Sequence, residues 1–198
     1  MKYAVFVSAL AIAIAELPVA ANAADYRTVY SFDDAAADGA APIAALISDG
    51  KMLYGTTKSG GPYGYGTVFQ FDPKTKKELL IHTFLGGQDG QNPYTGVVYQ
   101  NGFLYGTTFD GGAAQYGTVY KIDLSTGNLT TLYAFTGMDD GDYPRGLMSL
   151  KGSLYGTASG GAGGAGVVFK IDAKTGEESS GASTNLTGSM FDKGHYVI

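Results

Sequence analysis

The stretch LYGTT at residues 53–57 returns as LYGTT at 104–108 and as LYGTA at 154–158, in steps of 51 and 50 residues. Self-similarity at that period marks a chain of stacked supersecondary units, so this stretch decides the fold before any single residue does. Its surroundings repeat with it. GTVFQFD (66–72), GTVYKID (117–123) and GVVFKID (166–172) follow the three copies. Phe32, Phe84 and Phe135 each end a strand-like run, and Pro42, Pro93 and Pro144 keep the same step.

Each unit holds four short strand-like segments, which in the second unit are ELLIHTF (78–84), YTGVVYQ (94–100), FLYGTTF (103–109) and GTVYKID (117–123). Val, Ile, Thr, Tyr and Phe dominate them, the side chains that fit a pleated surface. No stretch after the first two dozen residues carries a 3.6-residue apolar period, so helix is not expected. Asn101-Gly102 supplies the positive φ angles of a two-residue type I′ hairpin, and Asp49-Gly50 and Lys151-Gly152 are read in the same slot. Glycine loops (59–65, 110–116, 159–165) and Asp-x-x-Thr-Gly turns at Asp123 and Asp172 make the other connections.

The expected fold is therefore all-β: antiparallel four-stranded meanders of about 51 residues, at about 26–72, 77–123 and 128–172. In FLYGTT both Leu104 and Tyr105 are bulky, so both faces of that strand meet protein; in GTVYKID, Val119 and Lys121 form a half-exposed face. Inner strands covered on both sides suit blades stacked around an axis, a partial β-propeller. YRTVYSF (26–32) aligns with ELLIHTF and NLTTLYAF (128–135), so the repeat region opens on a blade's last strand. A closed propeller takes about four to eight blades. Three units call instead for a second chain to complete six blades, for a longer array of which this is the front part, or for a three-fold β-trefoil-like barrel. The even period and glycine loops favour blades of kelch type.

Residues 1–23 read as an export signal: Lys2, the apolar run 4–15, Pro18 and the small-residue site Ala21-Asn22-Ala23. The run is too short to span a bilayer. Cleavage there leaves a secreted, periplasmic or extracellular chain with no stable membrane span, its repeats within 24–176 and a non-repeat, poorly ordered tail at 177–198. There is no cysteine, so no disulfide or thiolate metal site. Net charge is −5 without any basic cluster, which argues against nucleic acid.

LYGTT, a Gly-Gly loop, YGTVF/Y, Asp, a short strand ending in Phe, and Asp-Gly-x-x-Pro together resemble the GloVer tandem repeat over residues 26–178. The resemblance implies an exported bacterial repeat protein of the choice-of-anchor kind, with no catalytic residues to carry over. Two departures stand out. Ala165-Gly166-Val167-Val168 replaces Tyr-Gly-Thr-Val, and the pattern stops after Glu177.

Candidate chemistry is sparse. Asp38, Asp89 and Asp140 each precede a glycine and the repeat's proline, and Asp139, Asp140 and Asp142 gather enough oxygens to suggest calcium. Asp-Gly is first of all a turn, and the turn reading is preferred. Tyr65 and Tyr116 end glycine loops, where rings could stack on sugars or a peptide; a covering role is preferred. Tyr54, Tyr105 and Tyr155 belong between sheets. His82 shares its slot with Tyr30 and Tyr133, hence packing, and His195 lies in the tail. No metal, cofactor or catalytic set is expected. The expected function is a non-catalytic binding or surface-scaffold module for an extracellular protein or glycan, with a carbohydrate-active hydrolase or lyase using Asp89 and Asp140 as the rival.

Overall fold

Antiparallel hairpins follow one another from Ile47 to Asp172. The computed structural model describes residues 25–33 and 37–177. The export signal at 1–23 and the tail from 178 onward, with His195, lie outside the described residues.

The first sheet is a meander of β1 (Ile47–Ser48), β2 (Leu53–Thr57), β3 (Thr67–Asp72) and β4 (Lys77–Thr83). The second repeats it with β5 (Val98–Gln100), β6 (Phe103–Thr108), β7 (Thr118–Asp123) and β8 (Leu129–Ala134). The third contains β9 (Asp142–Leu150), β10 (Ser153–Ser159) and β11 (Val167–Asp172), with no fourth strand among the described residues. No helix occurs among them either. The register repeats as closely as the sequence does: Gly55 pairs with Phe69, Gly106 with Tyr120 and Gly156 with Phe169.

Consecutive sheets pack face to face, and two cores form at the two joints. Tyr54 and Val68 of the first blade meet Val97, Leu104, Tyr120 and Ile122 of the second. Tyr105 and Val119 of the second meet Leu154, Phe169 and Ile171 of the third. Each blade thus has a forward face (Tyr54/Val68, Tyr105/Val119) and a backward face (Leu104/Tyr120/Ile122, Leu154/Phe169/Ile171). Leu104 and Tyr105 are both buried, as expected of a strand covered on both sides. Three separate sheets packed this way make a partial propeller. Among the described residues no strand ladder joins one sheet to the next, so they do not form the three-fold barrel.

Three local expectations change. The face of GTVYKID carrying Val119 is not half-exposed: Val119 is fully buried, because the third blade covers it. Asp49-Gly50 is not a two-residue turn. Ser48 pairs with Leu53, so the loop holds four residues, and Asp49 Oδ1 accepts the amides of Lys51 and Met52, both at 2.8 Å. Asn101 (φ 52°) and Gly102 (φ 84°) do adopt the two-residue hairpin. Finally, 26–32 forms no strand, since no sheet stands beside it to supply a ladder. Its side chains nonetheless sit as the repeat requires. Phe32 lies edge-on against Phe69 at 5.1 Å, as Phe84 does against Tyr120 at 5.2 Å and Phe135 against Phe169 at 5.2 Å.

The departure in the third unit has a packing reason. Thr57 and Thr67 share a buried hydroxyl bond at 2.8 Å, and Thr108 and Thr118 another at 2.8 Å. In the third blade the paired positions are Ala158 and Val167. Both hydroxyls have gone together, so neither is left buried without its mate.

Candidate functional site

The strand directions place the glycine loops, the Asp-Gly loops and the repeat prolines at one end of the blades, and the hairpins and Asp-x-x-Thr-Gly turns at the other. Asp38, Asp89, Asp140, Tyr65 and Tyr116 therefore share one end of the molecule. They do not converge on one point; each belongs to its own repeat and is engaged there.

Asp140 shows what these acids do. Its carboxylate accepts the Tyr133 hydroxyl at 3.0 Å, the Thr136 amide at 2.8 Å, the Thr136 hydroxyl at 2.6 Å and the Met138 amide at 3.2 Å. Burial works to raise its pKa, but these donors outweigh it and hold the carboxyl below its ordinary 3.8. Asp89 takes the Leu85 amide at 3.0 Å and lies 3.3 Å from His82 Nε2. Asp38 takes the Tyr30 hydroxyl at 2.9 Å. In every repeat the acid ties the end of a fourth-strand segment to the loop that enters the next blade. Among the described residues, no group of three or more His, Asp and Glu side chains gathers as a metal site.

The loop tyrosines cover glycines. A Cβ on Gly86 would come within 2.4 Å of the Tyr65 ring, and one on Gly137 within 2.4 Å of the Tyr116 ring. Their carbonyls also join the blades: the Asn92 amide donates to Tyr65 O at 2.8 Å, and the Tyr143 amide to Tyr116 O at 2.9 Å. Tyr65 keeps 39% of its surface exposed. His82 packs on Phe84 at 4.9 Å, and burial holds its pKa below 6.5 against the opposing pull of Asp89.

One surface feature had no counterpart in the sequence reading. Tyr94, Phe109 and Tyr143 form a ribbon of half-buried rings across the joints, with centroids 4.8 Å and 4.6 Å apart. Lys58 Nζ caps one end, 4.6 Å from the Tyr94 ring, and the Arg145 guanidinium lies 5.3 Å from Phe109. The three rings occupy unlike positions of their repeats, so no periodicity announces them. Rings with flanking cations in this spacing offer stacking and a positive rim for a polar, ring-bearing or acidic ligand.

An all-β row of tandem blades, without a converging acid–base pair among its repeated acids, defines a partial propeller built from tandem repeats. The profile of the Gloeobacter/Verrucomicrobia repeat matches residues 17–146 and 52–195, and the chain belongs to that family. No match is found among curated proteins. Among solved structures, a europium-containing methanol dehydrogenase is similar at TM-score 0.52, with 19% identity over 77% of this chain and 26% of that one. A chain of a nidogen/laminin complex (TM-score 0.48, 13% identity, 68% and 44% of the two chains) is similar more weakly. So is TolB from Acinetobacter baumannii (TM-score 0.45, 16% identity, 68% and 31%). The chain spans less than half the length of each. At these identities the likeness bears on fold alone.

Proposed function

We propose that the chain is an exported, non-catalytic binding or surface-scaffold module for an extracellular glycan or protein, two copies completing six blades. The observation that carries this reading is the engagement of the repeated acids by donors of their own repeat, fullest at Asp140. Asp140 spends its oxygens on four local donors, so an architectural cause accounts for its recurrence without a catalytic one. The ligand surface is the loop end, where a rigid scaffold presents the Tyr94–Phe109–Tyr143 ribbon. Export rests on residues 1–23.

A panel of polysaccharides and surface glycopeptides, assayed for both binding and cleavage, tests the proposal. Saturable binding without cleavage, weakened by Phe109→Ala, is the expected result. Specific turnover by the wild-type chain that disappears in Asp89→Ala/Asp140→Ala would overturn it in favour of a hydrolase or lyase.

A further inference from the structure

The row of blades has two unlike ends, and each carries what the other lacks. Val68 and Val119, forward-facing in the first two blades, are 0% exposed because the next blade covers them. The same position in the third blade, Val168, is 47% exposed, and Met148 on that face is 57% exposed. At the opposite end, among the described residues, the backward face of the first blade has no blade against it. Pro42 is exposed where Pro93 and Pro144 are buried, and Leu46 is exposed where Val97 is buried. An apolar cleft of about 260 Å³ lies there, lined by Val29, Tyr30, Pro42, Leu46, Leu53 and Phe71.

The strands show the same complementarity. Residues 26–32 have the sequence and packing of a fourth strand: Phe32 on Phe69, and Tyr30 bonded to Asp38. Yet they join no sheet. The third blade has β9, β10 and β11 and, among the described residues, lacks a fourth strand. Among the described residues, the row thus begins with a segment of fourth-strand sequence that has no blade and finishes with a blade that has no fourth strand.

We propose that residues 26–32 of one copy form the fourth strand of the third blade in a second copy, with the Val168 face of that blade seated on the first copy's apolar cleft. This rests on the two-chain scaffold reading above and names its interface. The register follows from the internal blades. Thr67 pairs with Thr83 and Val68 with His82, then a bulge, then Phe69 with Leu80 and Gln70 with Leu79. Thr118–Ala134, Val119–Tyr133, Tyr120–Thr131 and Lys121–Thr130 repeat it, bulge included. Transferred to β11, Val167 pairs with Ser31, Val168 with Tyr30, Phe169 with Thr28 and Lys170 with Arg27. The internal bonds Asn92 N to Tyr65 O and Tyr143 N to Tyr116 O likewise set Ala41 N against Ala165 O across the new joint. Ala41 already holds the left-handed conformation of Asn92 and Tyr143, with φ of 57°, 56° and 50°. A head-to-tail contact of this kind, made twice by two copies of three blades, closes a ring and removes the open β11 edge.

The chain has no cysteine, so introduced thiols report the joint directly. Full chains carrying Arg27→Cys and Lys170→Cys separately are mixed under mild oxidation, and the linked products are mapped by mass spectrometry. A 27–170 link between two chains as the main product, with sedimentation as a dimer, is the expected result. Monomer at every concentration, or only 27–27 and 170–170 links, overturns the proposal. So does a monomer whose β11 amides are protected from exchange, since residues of its own chain would then cover the edge. Val168→Glu changes a half-exposed side chain and leaves the three blades folded; it should abolish the dimer. Unchanged dimerisation of that variant also overturns the proposal. A monomer removes the two-copy part of the proposed function and leaves its non-catalytic binding part standing, whereas polysaccharide turnover defeats the binding part and not this interface.

Discussion

The Tyr120 ring lies across Gly106, its partner on the neighbouring strand: a Cβ at residue 106 would meet Tyr120 Oη at 2.2 Å and Cζ at 2.4 Å. The glycine of LYGTT is thus a seat for the aromatic of the strand beside it, and Gly55 and Gly156 seat Phe69 and Phe169 in the same way. Gly106→Ala should destabilise the chain by about 1–3 kcal/mol, the cost of overpacking a closed core. The Tyr120 hydroxyl is buried without a hydrogen-bond partner, where the other two blades carry Phe. Tyr120→Phe should stabilise by about 1 kcal/mol. Urea denaturation of the two variants checks both signs, and a change in the same direction for both would contradict this packing.

His82 occupies the slot of Tyr30 and Tyr133, and each of the three reaches the repeat's aspartate. Because burial keeps the folded-state pKa of His82 below 6.5, the unfolded chain binds its proton first as pH falls. That group's contribution to stability is therefore lost on acidification through 6.5. His82→Tyr should flatten the loss of stability on acidification below 6.5 and leave the midpoint at about pH 8 nearly unchanged. Thermal melts across that range read it, and an unaltered slope would show that His82 does not titrate differently on folding.

Gly102 holds φ 84° beside Asn101 at 52°. A β-branched side chain resists that region, so Gly102→Val should cost about 1–3 kcal/mol. No side chain stands within 4 Å of the position, so any loss measured by denaturation is conformational and not steric crowding. An unchanged midpoint would contradict the turn.

Repetition made much of this structure legible. A step of 51 residues gives the meanders, Asn-Gly gives a hairpin, and two bulky neighbours in Leu104-Tyr105 give a strand buried on both faces. What repetition hides is the difference between equivalent positions. Val68, Val119 and Val168 read alike, yet only a third dimension says that two are covered by a following blade and one is not. The pairing of Ala158 with Val167 is equally silent in sequence, where each looks like a separate drift from threonine. The ribbon of Tyr94, Phe109 and Tyr143 draws on unlike positions of neighbouring repeats, so no period could assemble it. Asp49-Gly50 misleads for the opposite reason: a strong turn dipeptide sits one residue away from the slot that the register allots to the hairpin.

The central claim is that the repeated acids build joints between blades, which is the ground of the proposed non-catalytic function. Asp140 tests it most directly, since its donors keep its carboxyl ionised in the folded state below the ordinary 3.8. The stability this gives is present above pH 3.8 and is lost as pH falls through the lowered folded-state value. The decisive measurement is the denaturation free energy of wild type and Asp140→Ala at pH 7 and at pH 3, read beside binding to whatever ligand the wild-type chain retains. The account predicts a loss of about 1–3 kcal/mol at pH 7, the cost of stranding the donors of a hydrogen-bonded carboxylate, a smaller loss at pH 3, and unchanged ligand affinity. Equal stability of the two proteins at pH 7, with ligand binding or turnover abolished, would contradict it.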